Sequence, residues 1–430
     1  MKHTKRFNIT GTCYPEEHYM VNINDRINQM EELIDEGRYI TINRGRQYGK
    51  TTLYFNLVQV LRKKYLAFSI TFEGVEDKIF ASSDTLAYAM VERMYKNIKR
   101  IHNDEAVEVA KKKFEQTLES HSSNRQMTFE ELSEFVSDLC DESPKPVVLI
   151  IDEGDNASNY DSFISLLGLF RSSFLRRQEY PTFQSVILIG VYDIRNLTYN
   201  DHKFPNSPYN IATPLEIDMS FTAIEIKNML DEYDKDHNAG MDTSMIAQMI
   251  HDFTSGYPFL VSKICYIIDE ENYGWNADGV MLAIQDILNE KITLFTEFYN
   301  LMDEYPELKN LIKEVLHGQY VNYSVDVQEI KLASTFNWIS EDHSRVKIAN
   351  RIFEMWLKNT FVSENHQQRL RASYYYCNQT ISNRTKPRAN RLLELLAQFF
   401  YGQNFVMIGK WIKFAAKPNK MFATWKTSIQ

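Results

Sequence analysis

Short apolar runs alternate with helically spaced apolar residues over the first part of the chain. A helix is predicted from Asn24, which can cap it, and a short β-prone run follows at 39–42. A polar loop with glycines comes next at 44–52, then an amphipathic helix at 53–64 and a second strand at 66–72. This order of strand, glycine-containing loop, helix and strand is typical of a βαβ unit.

Two longer runs are almost wholly apolar and predict strands that are buried on both faces. They are VVLIIDE at 147–153 and SVILIGVYD at 185–193, and PLEIDM at 214–219 predicts a last strand. Between the second and third strands, residues 76–143 are charged and helical in pattern. The predicted fold class is therefore α/β, with a parallel sheet at its centre.

Beyond the last strand the pattern changes to helices. Thr222 and Glu225 form a capping-box pattern that predicts a helix start. Further helices are predicted at 242–253 and 258–270, and a hairpin at 338–349.

The composition is that of a globular protein, since 44% of the 430 residues are hydrophobic and 24% are charged. No apolar run approaches the ~20 residues that a membrane helix needs. The N-terminus lacks the apolar stretch of a secretory signal. Four cysteines without a CxxC pair argue against a disulfide framework or a zinc cluster; they are Cys13, Cys140, Cys265 and Cys377. We therefore expect a cytoplasmic protein without a membrane partner.

Charge is unevenly distributed along the chain. Residues 366–430 carry 11 Lys and Arg against one acid, Glu394, whereas the first 365 residues have a net charge of −19. A basic, aromatic-containing tail is compatible with nucleic-acid binding. It is equally compatible with docking on the acidic body, which we favour.

The strongest chemical signal is Gly49-Lys50-Thr51 between a strand and a helix. A phosphate site needs a tight loop at a helix N-terminus, with Lys50 for the β- and γ-phosphates and the Thr51 hydroxyl for Mg²⁺. The usual pattern has a Gly five residues before Gly49, where this chain has Arg44 followed by Gly45. A chance match on a loop is the alternative, and the strand and helix on either side argue against it.

The second signal is the carboxylate pair at the end of the third strand. Asp152 is predicted to orient the Mg²⁺ shell, and Glu153 to polarise the attacking water. The alternative is two acids at a solvated strand end. Asp155 is nearby and is predicted to start the next helix.

Several segments together resemble the bacterial and archaeal AAA-ATPase-like proteins, which are relatives of the AAA+ and STAND NTPases. RQYGKT resembles the R-Q-x-G-K-[TS] loop of that family, and the resemblance spans about residues 7–362. The other segments that carry it are LIIDEGDNAS at 149–158, SVILIGVYDIRNL at 185–197, NSPYNIA at 206–212 and SGYPFLVSKIC at 255–265.

The resemblance implies further roles. The GYP turn that ends at Pro258 is similar to the GxP turn of STAND lids, whose Pro packs on the nucleotide; a plain helix-starting Pro is the alternative. Tyr192 and Asp193 would end a sensor strand, and Arg26 would match an Arg before the P-loop strand, or be an exposed helix residue. The residues expected to bind the nucleotide are Gly45, Arg46, Gln47, Tyr48, Gly49, Lys50, Thr51, Thr52 and Pro258.

The domain boundaries follow from the same resemblance. They are an N-terminal segment and helix at 1–38, a P-loop ATPase core at 39–220, a helical lid at 221–290, a winged-helix-like domain at 291–362 and a divergent basic tail at 363–430. Many relatives continue into a PD-(D/E)xK nuclease-like domain. The tail contains no Asp and no ExK, so nuclease activity is not expected.

The expected function is an ATP-binding, ATP-hydrolysing AAA+/STAND-like switch with ATP and Mg²⁺ as cofactors. Lys50 and Glu153 are the predicted catalytic residues, and Thr51 and Asp152 the predicted metal ligands. The partners expected are the nucleotide and an unidentified protein client, while nucleic acid and a homo-oligomer are left open. A non-hydrolysing, nucleotide-locked scaffold and a nucleic-acid-associated ATPase are the alternatives.

Overall fold

The computed structural model describes residues 5–43, 45, 47–190, 209–215 and 218–364 of the chain. The chain divides into two compact units, Met1–Lys358 and Asn359–Gln430. Of the second unit, only residues 359–364 are described. The predictions for the basic tail, and for Tyr192 and Asp193, fall outside the described residues.

A five-stranded sheet forms the centre of the first unit, and its pairings are parallel. The strand order is β2-β3-β4-β1-β5. The strands are β1 Ile40–Asn43, β2 Leu66–Thr71, β3 Val147–Asp152, β4 Ser185–Gly190 and β5 Thr213–Pro214. All residues of β3 and β4 are buried, which is why both strands are apolar at nearly every position. The predicted α/β fold with a parallel sheet is confirmed.

Six helices accompany the strands of the sheet. They are α1 Asn24–Asp35, α2 Lys50–Leu61, α3 Ser83–Ile98, α4 Glu105–Ser120, α5 Phe129–Glu142 and α6 Asp161–Leu175. The prediction that Asn24 caps α1 is wrong: the Asn22 side chain accepts the Asn24 N–H at 2.9 Å, and Asn24 is already helical. Gly37 does end that helix, with a φ of 69° that glycine adopts without strain.

Four helices follow the sheet and pack on one another. They are α7 Ala223–His237, α8 Thr243–Thr254, α9 Pro258–Glu270 and α10 Ala277–Asn289. Thr222 and Glu225 form the predicted capping box at the start of α7. The N-terminal segment contacts this group, because Phe7 stacks on Tyr233 with ring centroids 5.2 Å apart.

A third group of helices includes an antiparallel hairpin, and a further helix at 351–364 follows that hairpin. Its elements are α11 Thr293–Glu304, α12 Pro306–Leu316, α13 Gln328–Thr335, β6 Ile339–Asp342 and β7 Arg345–Ile348. Trp338 is fully buried and stacks on Phe298 at a centroid distance of 3.8 Å. The predicted hairpin at 338–349 is confirmed. Among the described residues no helix is long and apolar enough to cross a membrane.

Candidate functional site

The loop between β1 and α2 has the backbone of a tight turn at a helix N-terminus. Gln47 and Gly49 have φ values of 58° and 79°, both in the left-handed region. Gly49 immediately precedes α2 and, as a glycine, brings no capping side chain to that helix. The N–H groups at a helix start attract anions. The predicted residues Arg44 and Arg46 lie outside the described part of the loop.

Lys50 and Asp152 meet at the carboxyl ends of the strands. Lys50 begins α2 and is 8% exposed; Asp152 ends β3 and is also 8% exposed. The pKa of Asp152 is raised to about 6, mainly by burial and then by the charge of Glu153. The Glu153 N–H, which donates to Asp152 Oδ1 at 3.0 Å, and the Lys50 ammonium oppose this rise.

Glu153 leaves the strand in an unusual backbone conformation. Its φ is 54°, the left-handed region that non-glycine residues adopt at a cost. The sequence predicted that the strand would include this residue, but the turn ends the strand at Asp152. Such outliers cluster at functional sites because the surrounding structure must hold them in place. The side chain of Glu153 is partly buried.

The two threonines that follow Lys50 differ in surroundings. Thr51 is exposed in the first turn of α2, where a ligand could reach its hydroxyl. Thr52 Oγ1 accepts a hydrogen bond from the backbone N–H of Cys13 at 3.1 Å. The Thr52 hydroxyl therefore ties the N-terminal segment to α2, a role that the sequence did not suggest.

The loop also contacts the start of α9. A Cβ placed on Gly49 would lie 3.8 Å from Cβ of Pro258, so these two predicted site residues are neighbours. The Tyr48 ring meets the Tyr257 ring edge-on at 4.8 Å, and its hydroxyl lies 2.6 Å from Ser220 Oγ. The Tyr48 side chain is therefore used in packing between the loop and the helices after the sheet.

Gly45 is required by a close approach of the C-terminal helices. A Cβ on Gly45 would lie 2.8 Å from the backbone oxygen of Phe336, closer than real Cβ contacts come. The glycine thus lets the end of α13 lie against the loop. This contact accounts for a glycine at 45, one position away from the usual pattern.

Sequence reasoning missed two residues near the carboxylates. Tyr54 lies one helical turn after Lys50, and its pKa is raised by burial and then by the charges of Asp152, Glu73 and Glu153. Glu73 follows β2, which pairs with β3, so both strand ends meet at one edge. Strand order was the signal that could have found Glu73.

Arg26 is neither exposed nor directed at the loop. It is 7% exposed and donates to both carboxylate oxygens of Glu225, at 2.6 and 3.1 Å. It also donates to the backbone oxygens of Asp218 at 2.9 Å and Ser220 at 2.8 Å. The exposed-helix alternative is wrong, and Arg26 instead joins α1 to the segment before α7.

The donor set fits a metal that is shared with phosphates. Among the described residues no group of three His, Cys, Asp or Glu could hold a metal alone. Mg²⁺ usually takes one or two carboxylates with waters and phosphate oxygens. Asp152 and the Thr51 hydroxyl are groups of the kind that such a shared site needs.

Comparisons with known proteins concern the family and the fold of the chain. A family model described as an AAA-like domain matches residues 15–359. The structure is similar to a Walker-type ATPase of Pyrococcus abyssi, with a TM-score of 0.53 and 14% identity over 82% of this chain and 99% of that chain. It is also similar to the Aeropyrum pernix ORC2 protein in ADPNP–ADP complexes, with a TM-score of 0.42 and 12% identity over 79% and 93%. No curated protein matches the chain.

Proposed function

The chain belongs to the family of AAA-like domain proteins, and from this premise we propose that it binds Mg·ATP at the loop after β1 and hydrolyses it. The observation that carries the proposal is the burial of Asp152 beside Lys50, with the pKa of Asp152 raised to about 6. The positive charge near this buried carboxylate does not offset the effect of burial on its pKa. A divalent cation bound beside the carboxylate would supply the additional positive charge.

Each residue has a distinct task in the proposed reaction. The amides of 45–52 and the Lys50 ammonium hold the phosphates, while Thr51 and Asp152 lie in the metal's ligand sphere. Mg²⁺, when bound, neutralises charge on the phosphate oxygens. Glu153 takes a proton from water as the water oxygen bonds to the γ-phosphorus and the bond to the bridging oxygen breaks. The products are ADP and phosphate.

In this proposal helices α7–α10 act as a lid over the nucleotide. The contact between Gly49 and Pro258 supports the lid, since α9 begins beside the loop between β1 and α2, which is the proposed phosphate loop. Helices α12 and α13 with the β6–β7 hairpin resemble a winged helix. Its second helix, α13, carries Lys331 and Glu329, and Asp326 lies just before it, so we assign this helix to protein contacts instead of DNA.

The second candidate is a nucleotide-locked scaffold that does not hydrolyse ATP. The close contact between Gly45 and Phe336 favours it, because a loop held between several elements resists the motion of a turnover cycle. Both candidates bind nucleotide, and they differ in phosphate release.

Phosphate release by wild type and Glu153→Gln tests the proposal. The variant keeps the size of the side chain but loses its charge, so turnover should fall at least ~10²-fold with binding retained. Glu130→Gln, at an exposed position of α5, is the matched control and should match wild type. No phosphate release by wild type that binds ATP would establish the scaffold; equal turnover in wild type and Glu153→Gln would remove Glu153 from the mechanism.

A further inference from the structure

A continuous set of hydrogen bonds joins the phosphate loop to helix α7. The Tyr48 hydroxyl lies 2.6 Å from Ser220 Oγ, and the backbone oxygen of Ser220 accepts from Arg26 at 2.8 Å. Arg26 then donates to both carboxylate oxygens of Glu225, in the first turn of α7. Residues from three separate parts of the chain thus form one path.

The segment 218–221 connects the sheet to the helices along this path. Arg26 Nε donates to the Asp218 oxygen at 2.9 Å, and the Phe221 N–H donates to the Gly256 oxygen at 2.8 Å. A Cβ on Gly256 would lie 2.0 Å from the Phe221 oxygen, so a side chain there is excluded. The segment is therefore attached to α1 on one side and to the turn before α9 on the other.

Glu225 performs two tasks at the end of this path. Its carboxylate accepts hydrogen bonds from Arg26 and from the Thr222 N–H, the latter at 2.8 Å. The bond from Thr222 is part of the capping box of α7. Burial tends to raise the pKa of Glu225, but the hydrogen bonds from Arg26 and Thr222 outweigh it and lower the pKa. Glu225 therefore stays ionised, and its hydrogen bonds hold the start of α7 to Arg26.

We propose that Tyr48, Ser220, Arg26 and Glu225 form a relay that transmits occupancy of the phosphate loop to α7–α10. The relay rests on the proposed function, because it supplies the link between nucleotide binding and lid position. Occupancy that shifts the loop backbone moves the Tyr48 hydroxyl, and with it the segment that anchors α7. The Tyr48 ring adds a second contact to the same helices through Tyr257.

Ser220→Ala breaks the relay at one atom. It removes Oγ, while the backbone oxygen that Arg26 uses remains. Hydrogen exchange of the amides in α7 and α9 is measured with and without saturating Mg·ATP, beside nucleotide affinity. Wild type should gain protection in both helices, whereas Ser220→Ala should lose at least about half of that gain with affinity within ~3-fold of wild type.

Two further variants sharpen the measurement. Tyr48→Phe removes the other partner of the same bond, so the double variant should lose no more protection than either single variant. Tyr273→Phe is the matched control, because it deletes a tyrosine hydroxyl in the turn between α9 and α10 that donates to Asp286 at 2.7 Å. It should keep the wild-type gain in protection.

The outcomes separate the relay from the function on which it rests. Nucleotide binding with full protection in Ser220→Ala would overturn the relay and leave the proposed function intact. A loss in Tyr273→Phe as large as in Ser220→Ala would also overturn it. Wild type that fails to bind Mg·ATP would overturn both.

Discussion

Gly49 of the phosphate loop lies against Pro258 at the start of α9, where a Cβ on Gly49 would be 3.8 Å from Cβ of Pro258. The loop after the first strand and a helix some two hundred residues later thus share one contact. That contact supports the proposal that α7–α10 act as a lid over a nucleotide.

Shortening Pro258 should weaken nucleotide binding. Pro258→Ala removes two methylene groups, each worth ~0.8 kcal/mol when fully buried, so affinity for Mg·ATP should fall about 3- to 10-fold in titration calorimetry. Pro306→Ala is the matched control, because Pro306 also stands at the start of a helix, α12. Equal affinity of both variants would show that Pro258 only starts its helix.

The ionised carboxylate of Asp152 should lower the stability of the folded protein at neutral pH. Its pKa is raised from the usual value to about 6, so the folded state binds more protons than the unfolded state between those values. Stability therefore falls as pH rises through that range, and Asp152→Asn should raise the melting temperature at pH 7.5 more than at pH 5. The full rise of the pKa to about 6 corresponds to about 3 kcal/mol of folding free energy.

Asp303→Asn, at an exposed position of α11, controls for the loss of one negative charge. The gain in melting temperature from Asp303→Asn should not increase between pH 5 and pH 7.5 in the same way. A gain from Asp152→Asn that is equal at both pH values would contradict the raised pKa. The same Asp152→Asn variant should bind Mg·ATP more weakly than wild type.

The left-handed backbone conformation at Glu153 should affect the relative stability of variants at this position. Glu153→Gly and Glu153→Ala both remove the carboxylate, but only glycine adopts a φ of 54° without strain. Glu153→Gly should therefore be more stable than Glu153→Ala by about 1 kcal/mol in urea unfolding. The ordinary order, with alanine more stable, would show that this backbone is not strained.

Gly256 should tolerate no side chain. Gly256→Ala places a methyl group against the Phe221 oxygen and should cost at least about 3 kcal/mol of unfolding free energy. Gly240→Ala is the matched control, with a similar φ of +66° and open space, and should cost ~1 kcal/mol. Equal losses would mean that the segment 218–221 yields to the added methyl group.

The sheet could be predicted because strands that are buried on both faces have almost wholly apolar sequences. β3 and β4 are apolar at nearly every position, and the Gly49-Lys50-Thr51 loop falls between a strand and a helix as expected. The end of β3 was placed one residue too late, because the turn at Glu153 depends on its surroundings.

Contacts between distant segments could not be predicted from local pattern. Arg26 finds its partners near residue 220, and no periodicity in α1 indicates a buried guanidinium. Tyr48 was assigned to the nucleotide, whereas its side chain packs on Tyr257 and Ser220. Such pairings depend on the folded arrangement of segments that are far apart in the chain.

Thermal stability with and without Mg·ATP tests the central claim most directly. Bound ligand at 100 times its Kd stabilises by about 2.7 kcal/mol, so the melting temperature of wild type should rise. Lys50→Ala should show no rise, while Lys63→Ala, an exposed lysine just after α2, should rise as wild type does. An equal rise in all three proteins would contradict binding through Lys50 and the loop after β1.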